Sequence, residues 1–421
     1  MPVSATLAAN ESIARKRRGG EYVLPLGFGE AGLPVHPSLI SQLCAHAGRA
    51  GYGPVAGVAP LREAAAGYWT RRDLPTRPES VIAGPGSKPL LYAALAAIGG
   101  DAVVLPQPSW VSYAAQADML GAEPMFVPTV AGAGGVPDPR RLRDYLDHAR
   151  STGRDVRAMV MTLPDNPTGT LAAPELVRQA CEVARDFDLV IISDEIYRDL
   201  IFDAHRSYLS PADVAPERTI ITTGLSKSLA LGGWRIGVAR LPDSHLGELL
   251  YERMATIASE LWSSVAQPVQ YAAAYAFGEP DELRERVAES RHLHAAVSRA
   301  VTERFTAAGA DTAVPDGGFY VYPDFAPHRQ LLDARWSART GAELSGLLLE
   351  RFAVGVLPGS AFGDGVKELR LRVATSQLYG DTDEQREAAL RSAYPLMLPW
   401  IAKALDRLDT VLFELVGPKS A

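Results

Sequence analysis

Cysteine and long apolar runs are what this chain of 421 residues most lacks. Its two cysteines, Cys44 and Cys181, are too few and too far apart for a disulfide framework or a zinc site, so a reducing, cytoplasmic compartment is expected. Without an apolar run of membrane-spanning length, no segment is predicted to enter a bilayer. The basic run from Arg15 to Arg18 has no apolar stretch behind it, and we do not expect it to be a secretory signal.

The charge balance is acidic, with a formal net charge of −7. Such a balance argues against nucleic acid or an anionic membrane as the main partner. A hydrophobic fraction of 47% over this length is sufficient for two domains with substantial cores. No metal site is predicted.

Lysine is also scarce, and one of the six stands out. Lys227 lies in TGLSKSLALGGWRIG, after the strand-like run TIITT. A lysine amine that is partly desolvated or close to another cation can condense with an aldehyde at neutral pH. Arg235 supplies a cation nearby in the sequence. Taken alone, Lys227 would more often be a surface lysine, so the surrounding motifs decide its interpretation.

Three segments predict strands that are followed by polar turns. LVIISDEIY places Asp194 at the end of a near-continuous apolar run, and AMVMTLPDNPTG places Asn166 in a turn. SVIAGPGSKPLLYAALAAI changes from a strand to a Gly-Pro-Gly turn and then to a helix, whose first amide groups could bind phosphate. Ligands of open α/β sheets bind outside the carboxyl ends of the strands, where these turns lie. The alternative for Asp194 is a helix N-cap.

Several motifs together resemble one known family in order and spacing. They are GxGSK at residues 84–88, PSWVSY at 108–113, NPTG at 166–169, SDEIY at 193–197 and SKSLALGGWRIG from residue 226. GFGEAGLP, YGPVAGVAPLREA, GGFYVY, LPGSAFG and ELRLRVATS extend the match over nearly the whole chain. The sequence resembles the aspartate aminotransferase family of pyridoxal-phosphate enzymes with fold type I.

This resemblance implies an α/β fold with two domains. A large cofactor domain with a mainly parallel sheet is expected over residues 47–285, and a smaller α/β domain over residues 1–46 and 286–421. The helical spacing of PDELRERVAESRHLHAAVSRAVTERFTAAG predicts a long helix between them. Strands are expected near GGFYVY and ELRLRVA, with a helix near GAELSGLLLERF. The stretch AGAGGVPDP at 131–139 is the most linker-like and is predicted to be a surface loop.

The resemblance also implies catalytic roles for Lys227, Asp194 and Tyr197. Lys227 would hold pyridoxal 5'-phosphate in an aldimine and move the proton between the substrate's alpha carbon and the cofactor's C4'. Asp194 would pair with the protonated pyridine nitrogen, while Tyr197 and Asn166 would donate to the ring's phenolic oxygen. Trp110 would stack on the ring, although a tryptophan considered alone could equally be a core aromatic.

Further residues are assigned to phosphate and substrate in the same way. The phosphate would be held by Ser87, the backbone of Lys88, Ser226 and Arg235, and by Tyr52 of a neighbouring subunit, which implies a homodimer with shared active sites. Arg370 would bind the substrate's alpha carboxylate, assisted by Asn166 and the backbone of Gly29.

Three segments depart from the family pattern. Ala31 and Gly32 replace a common Pro-Asp pair, and Glu260 and Trp262 either shape the pocket entrance or pack. Arg372 follows Arg370 by two residues, so both should project from one face of a strand. Since an unpaired buried guanidinium is costly, we expect Arg372 to brace the strand by pairing with a local carboxylate.

The predicted activity is transfer of an amino group between an alpha-amino acid and a 2-oxo acid, through the Lys227 aldimine and a pyridoxamine intermediate. A beta-lyase, cyclase or oxidase on the same fold is the alternative, because these enzymes share the lysine and the ring contacts. A cofactor-binding sensor of a helix-turn-helix regulator is less favoured, because about 25 residues precede GFGEAG. The sequence does not identify the substrate pair.

Overall fold

An eight-stranded, mainly parallel sheet dominates the computed structural model, which describes residue 11, residues 13–16 and residues 18–417. Its strands are β2 (Val81–Gly84), β3 (Ala102–Gln107), β4 (Glu123–Val130), β5 (Ala133–Pro137), β6 (Val156–Thr162), β7 (Val190–Asp194), β8 (Thr219–Gly224) and β9 (Gly237–Arg240). They lie in the order β2-β9-β8-β7-β6-β3-β4-β5, and only β9 and β5 run against the others. The predicted α/β fold is confirmed.

The helices cover both faces of this sheet and surround a second region. They are α1 (Pro37–His46), α2 (Ala59–Thr70), α3 (Ser87–Ile98), α4 (Val111–Met119), α5 (Pro139–Ser151), α6 (Pro174–Asp186), α7 (Pro211–Val214), α8 (Leu225–Ser228), α9 (His245–Leu261), α10 (Gln267–Phe277), α11 (Asp281–Ala307), α12 (Arg329–Trp336), α13 (Gly341–Phe352), α14 (Asp383–Arg391) and α15 (Pro399–Val416). Every residue of β7 and β8 is buried, as expected of parallel strands covered on two sides.

A second core is built from the two ends of the chain. Here β10 (Tyr320–Val321), β13 (Leu371–Ala374) and β12 (Leu357–Pro358) form an antiparallel sheet, and β1 (Leu24–Pro25) pairs with β11 (Val354–Gly355). Apolar side chains of α13 and α15 pack on these strands. Strands and a helix therefore form where GGFYVY, ELRLRVA and GAELSGLLLERF predict them.

The predicted long helix forms as α11, which spans 27 residues and is therefore about 40 Å long. Its first turns contribute Leu283 to the apolar cluster around α2, and its later turns contribute Leu293 and Val297 to the second core. One continuous helix thus joins the two cores. Leu39 of α1 packs in the cluster around α2 as well.

The prediction of a surface loop at residues 131–139 is wrong. Residues 133–137 form the buried edge strand β5, which pairs with β4. A Cβ on Gly134 would lie 2.4 Å from Asp165 Oδ2, and a Cβ on Gly135 would lie 2.0 Å from the carbonyl oxygen of Thr162. The glycines therefore allow close packing of two backbones rather than flexibility.

Within the described part of the chain, no helix combines the length and apolar character needed to cross a membrane. Among the same residues, no group of acidic, histidine or cysteine side chains is arranged to hold a metal ion.

Candidate active site

A cavity of about 500 Å³ opens at the carboxyl ends of β2, β3, β6, β7 and β8, beside strands of the second core. Ten predicted site residues line it: Gly29, Ser87, Lys88, Trp110, Asn166, Asp194, Tyr197, Ser226, Lys227 and Arg235. The parallel strands explain this convergence, since the turns that follow them meet at one sheet edge. Two predicted residues, Tyr52 and Arg370, do not line it.

Lys227 lies on the single turn α8, directly after β8. Its Nζ donates a hydrogen bond to the carbonyl oxygen of Gly29 at 2.6 Å. The pKa of Lys227 is lowered to about 8, chiefly by burial and then by the Arg372 cation, with a smaller contribution from Arg235 and opposing effects of Glu30 and Asp194. An amine with this pKa is partly neutral near physiological pH and is therefore available as a nucleophile and a base.

Asp194 ends β7 with 3% of its surface exposed. Tyr113 donates its hydroxyl to Asp194 Oδ2 at 2.8 Å, and the amide of Ile196 donates to Oδ1 at 3.2 Å. The pKa of Asp194 is raised to about 6, because the effect of burial outweighs the lowering effect of these two hydrogen bonds. A cation bound beside this carboxylate would favour its ionised form, as a protonated pyridine nitrogen requires.

A Gly-rich turn shapes the anion end of the cavity. Gly86 has φ of 94°, and a Cβ there would lie 2.4 Å from Nη2 of Arg235. Arg235 itself adopts the left-handed region at φ 53°. Gly86 is also the N-cap of α3, so no side chain caps the first amide groups of that helix. Free amides at a helix start and an adjacent guanidinium suit a phosphate group.

Trp110 forms one wall of the cavity. The Lys88 ammonium lies 5.0 Å from the centroid of its ring, and Tyr113 contacts the ring edge-on at 5.3 Å between centroids. Burial lowers the pKa of Lys88, and the Arg235 cation adds to this effect. Lysine, carboxylate, phosphate cradle and aromatic wall together match the donor set that pyridoxal phosphate needs.

Arg370, the residue expected to bind the substrate carboxylate, does not line the cavity. Arg370 pairs with Asp324 at 2.9 Å and with Asp364 at 3.2 Å, outside the cavity. Arg372 lines the cavity instead and is 1% exposed. Two residues of strand correspond to a shift of roughly 7 Å, so the neighbour takes the place expected for Arg370.

The expected carboxylate partner of Arg372 is also wrong. Its guanidinium donates to the carbonyl oxygen of Gly27 at 2.5 Å and lies 3.5 Å from Oδ1 of Asn166. Its Nε has no hydrogen-bond partner, and among the described residues no Asp or Glu pairs with it. A buried guanidinium with free donors, beside Asn166 and facing the cavity, is suited to bind a carboxylate in two hydrogen bonds.

The remaining departures lie elsewhere. Neither Glu260 nor Trp262 lines the cavity. Glu260 accepts a hydrogen bond from the Ser259 hydroxyl, and Trp262 packs at the edge of the core. Ala31 is fully buried, and a Cβ on Gly32 would lie 2.8 Å from the carbonyl oxygen of Ser376. Tyr52 has 94% of its surface exposed.

Sequence reasoning missed several lining residues. These include Phe28, Glu30, Tyr113, Thr162 and Tyr320. Tyr113 and Tyr320 lie inside the motifs PSWVSY and GGFYVY, so the motifs marked their location. Their hydrogen bonds become apparent only once burial brings separate strands together.

The sequence matches the aminotransferase class I and II family over residues 32–389. It is 32% identical to the aspartate/prephenate aminotransferase of Thermus thermophilus over 90% of this chain and 93% of that protein. It is 29% identical to the aspartate aminotransferase of Bacillus subtilis over 89% of this chain and 92% of the relative.

Solved structures agree with these relatives. The Thermus thermophilus aspartate aminotransferase with maleate superposes with a TM-score of 0.82 at 29% identity, covering 98% of this chain and 97% of the other. Aminotransferases of this family use pyridoxal phosphate to move amino groups between amino and 2-oxo acids. The relatives favour transamination over the lyase, cyclase, oxidase and sensor alternatives. The chain therefore belongs to the class I and II aminotransferase family and is a pyridoxal-phosphate-dependent transaminase.

Proposed function

We propose that the cavity around Lys227 is where this transaminase exchanges amino groups, with Lys227 as the covalent attachment point and the mobile base. The observation that carries the proposal is the buried Lys227 amine, whose pKa is lowered to about 8, in one cavity with Asp194 and Arg372. When bound, pyridoxal phosphate supplies the electron sink that acidifies the substrate's alpha C–H bond.

Each side chain then has a task that follows from its position. Arg372 and Asn166 hold the alpha carboxylate, which fixes the alpha hydrogen toward Nζ of Lys227. That nitrogen takes up the alpha proton and, with the cofactor bound, would deliver it to the cofactor's C4'. Asp194 remains ionised and keeps the ring nitrogen protonated, while Tyr197 donates to the ring oxygen. Ser87, the Lys88 backbone, Ser226 and Arg235 anchor the phosphate at the start of α3, and Trp110 excludes water from the ring face.

The substrate class we propose is an acidic amino acid and its 2-oxo acid. Lys88 lines the cavity, and among the described residues no carboxylate pairs with its ammonium. A second carboxylate on the substrate would provide that partner, and the Thermus and Bacillus relatives are named for aspartate.

We also propose a homodimer with shared active sites, in which Tyr52 reaches the phosphate of the neighbouring subunit. The nearly complete exposure of this aromatic side chain supports the proposal. A cytoplasmic location is proposed because both cysteines are free. The large domain is proposed to begin near residue 37 rather than residue 47, because Leu39 packs with α2.

Chemical trapping and a half-reaction together test the site. Borohydride reduction of the loaded enzyme should attach the cofactor to Lys227, as located by peptide mass. Mixing the loaded enzyme with aspartate or glutamate should convert its absorbance to that of the amino form, faster than with alanine or phenylalanine. Lys227→Ala should retain the cofactor noncovalently and lose the conversion. A reduced adduct on Lys88 would contradict the assignment of Lys227, and equal rates for acidic and neutral amino acids would contradict the substrate class.

A further inference from the structure

Tyr320 of β10 lies at a junction between three groups of the cavity. Its hydroxyl is 2.8 Å from the hydroxyl of Tyr197, and both side chains are buried. The Arg372 guanidinium lies 4.9 Å from the centroid of the Tyr320 ring. A Cβ on Gly29 would lie 2.2 Å from the Tyr320 hydroxyl, so this hydroxyl rests against the Gly29 backbone. Gly29 is also the acceptor for Lys227.

The direction of the Tyr320–Tyr197 hydrogen bond follows from the charges around it. Burial raises the pKa of Tyr197 well above its ordinary value, whereas for Tyr320 the effect of burial is opposed first by the Arg372 cation. The more acidic phenol is the better donor. Either hydroxyl can donate at this distance, and we assign Tyr320 as the donor, which leaves the Tyr197 proton free to donate toward the cavity.

We propose that Tyr320 is a positioning residue for transamination, which directs the Tyr197 proton to the cofactor's ring oxygen through its hydroxyl and supports the Arg372 guanidinium through its ring. This inference rests on the proposed role of Tyr197 toward the cofactor. The two parts of the Tyr320 side chain act on different partners, and different substitutions separate them.

Removing only the hydroxyl of Tyr320 should affect its hydrogen bond with Tyr197 and leave its contact with Arg372 in place. In Tyr320→Phe, the aromatic face against Arg372 remains, and the bond that orients Tyr197 is lost. Tyr197 then donates less strongly to the ring oxygen, which stabilises the anionic oxygen less. The pH midpoint of the absorbance of the Lys227-bound cofactor should rise by about 0.5, corresponding to part of one hydrogen bond. The KM for the amino acid should stay within about twofold of the parent enzyme, since Arg372 keeps its cation–π contact.

Removing the ring affects the Arg372 side as well. Tyr320→Leu should raise the midpoint by the same amount and also raise the KM by about fivefold, because the cation–π contact of a desolvated guanidinium is lost. The matched control is Tyr379→Phe. Tyr379 is a buried tyrosine outside the cavity whose hydroxyl bonds Nδ1 of His294 at 2.5 Å. It should lower the unfolding temperature without moving the midpoint.

A double-mutant cycle on the loaded enzyme decides the proposal. Tyr197→Phe alone should raise the midpoint by about one unit, and adding Tyr320→Phe should produce no further shift. Equal shifts from Tyr320→Phe in both backgrounds, or no shift in either while Tyr197→Phe has its effect, would overturn the role of Tyr320. If Tyr197→Phe itself leaves the midpoint unchanged, the proposed role of Tyr197 fails, and the inference for Tyr320 fails with it.

Discussion

Arg372 and Arg370 offer a sharp test, because substituting each by methionine should have opposite consequences. Arg372 is buried, has an unpartnered Nε and no acidic partner among the described residues. Arg370 is 36% exposed at its side chain and pairs with Asp324 and Asp364, of which Asp364 is 2% exposed. One guanidinium is therefore available to a ligand, and the other is bound within the protein.

The magnitude follows from the hydrogen bonds at stake. A hydrogen bond to a charged group contributes about 1.5–3 kcal/mol, so losing a two-point carboxylate contact costs roughly 3–5 kcal/mol of transition-state binding. Arg372→Met should lower kcat/KM by about 10²- to 10⁴-fold for every amino acid substrate. Arg372→Lys keeps the charge and loses the fork, so a decrease of about 100-fold is expected.

In stability the two variants should rank in the opposite order, with Arg370→Met the more strongly affected. A buried, unpaired guanidinium has a desolvation cost of several kcal/mol, which Arg372→Met removes, so its unfolding temperature should fall by no more than about 2 °C despite the lost bond to Gly27. Arg370→Met removes the cation that pairs with the buried Asp364 carboxylate, which should destabilise the fold by about 1–2 kcal/mol. Its kcat/KM should remain within about threefold of the parent value.

The assay is steady-state transamination with aspartate, combined with calorimetric unfolding of each variant. A large loss of kcat/KM in Arg370→Met with near-normal Arg372→Met would refute the reasoning and restore the original assignment of Arg370. A severe loss of stability in Arg372→Met would show that the residue braces the strand after all.

Three further predictions concern other parts of the site. Asp194→Asn should lower turnover by at least about 10³-fold with little loss of phosphate anchoring, because the ring nitrogen loses its anion; near-normal turnover would show a different ring orientation. Mixed dimers of Tyr52→Phe and Lys227→Ala chains should contain one intact site and one doubly defective site, and a fully active monomer would contradict sharing. Burial raises the pKa of Asp165 to about 7, above its unfolded value of about 4, so the free energy of unfolding should fall as pH rises from 4 to 7. The stability of Asp165→Asn relative to the parent, measured by urea unfolding, should therefore be ~2–4 kcal/mol more favourable at pH 8 than at pH 4. An unchanged pH profile would show that Asp165 does not titrate in this range.

The convergence of Lys227, Asp194 and Asn166 could be predicted because each follows an apolar run, and parallel strands bring such positions to one sheet edge. The choice between Arg370 and Arg372 could not. Residues two apart on a strand share a face, so the pattern does not say which one reaches the cavity, and the acidic partners of Arg370 are distant in sequence.

The wrong prediction of a surface loop at residues 131–139 has a related cause, which lies in Gly134 and Gly135. Glycine-rich sequence is common in flexible turns, and the same composition also permits close backbone approach. Only the contact with Asp165 and Thr162 distinguishes the two.

The hydrogen bond from Arg372 to Gly27 joins residues 345 positions apart, and the amide of Ala374 donates to Leu26 beside it. Both ends of the chain are therefore needed before the carboxylate-binding end of the site exists. During synthesis the phosphate cradle can form as soon as α8 and the segment around Arg235 have left the ribosome, but the arginine arrives more than 130 residues later. If Arg372 binds the substrate carboxylate as proposed, a nascent chain that captures the cofactor early would hold it in a site that does not yet recognise amino acids, so amino-group exchange begins only after the strand that carries Arg372 has been made and has packed against Gly27.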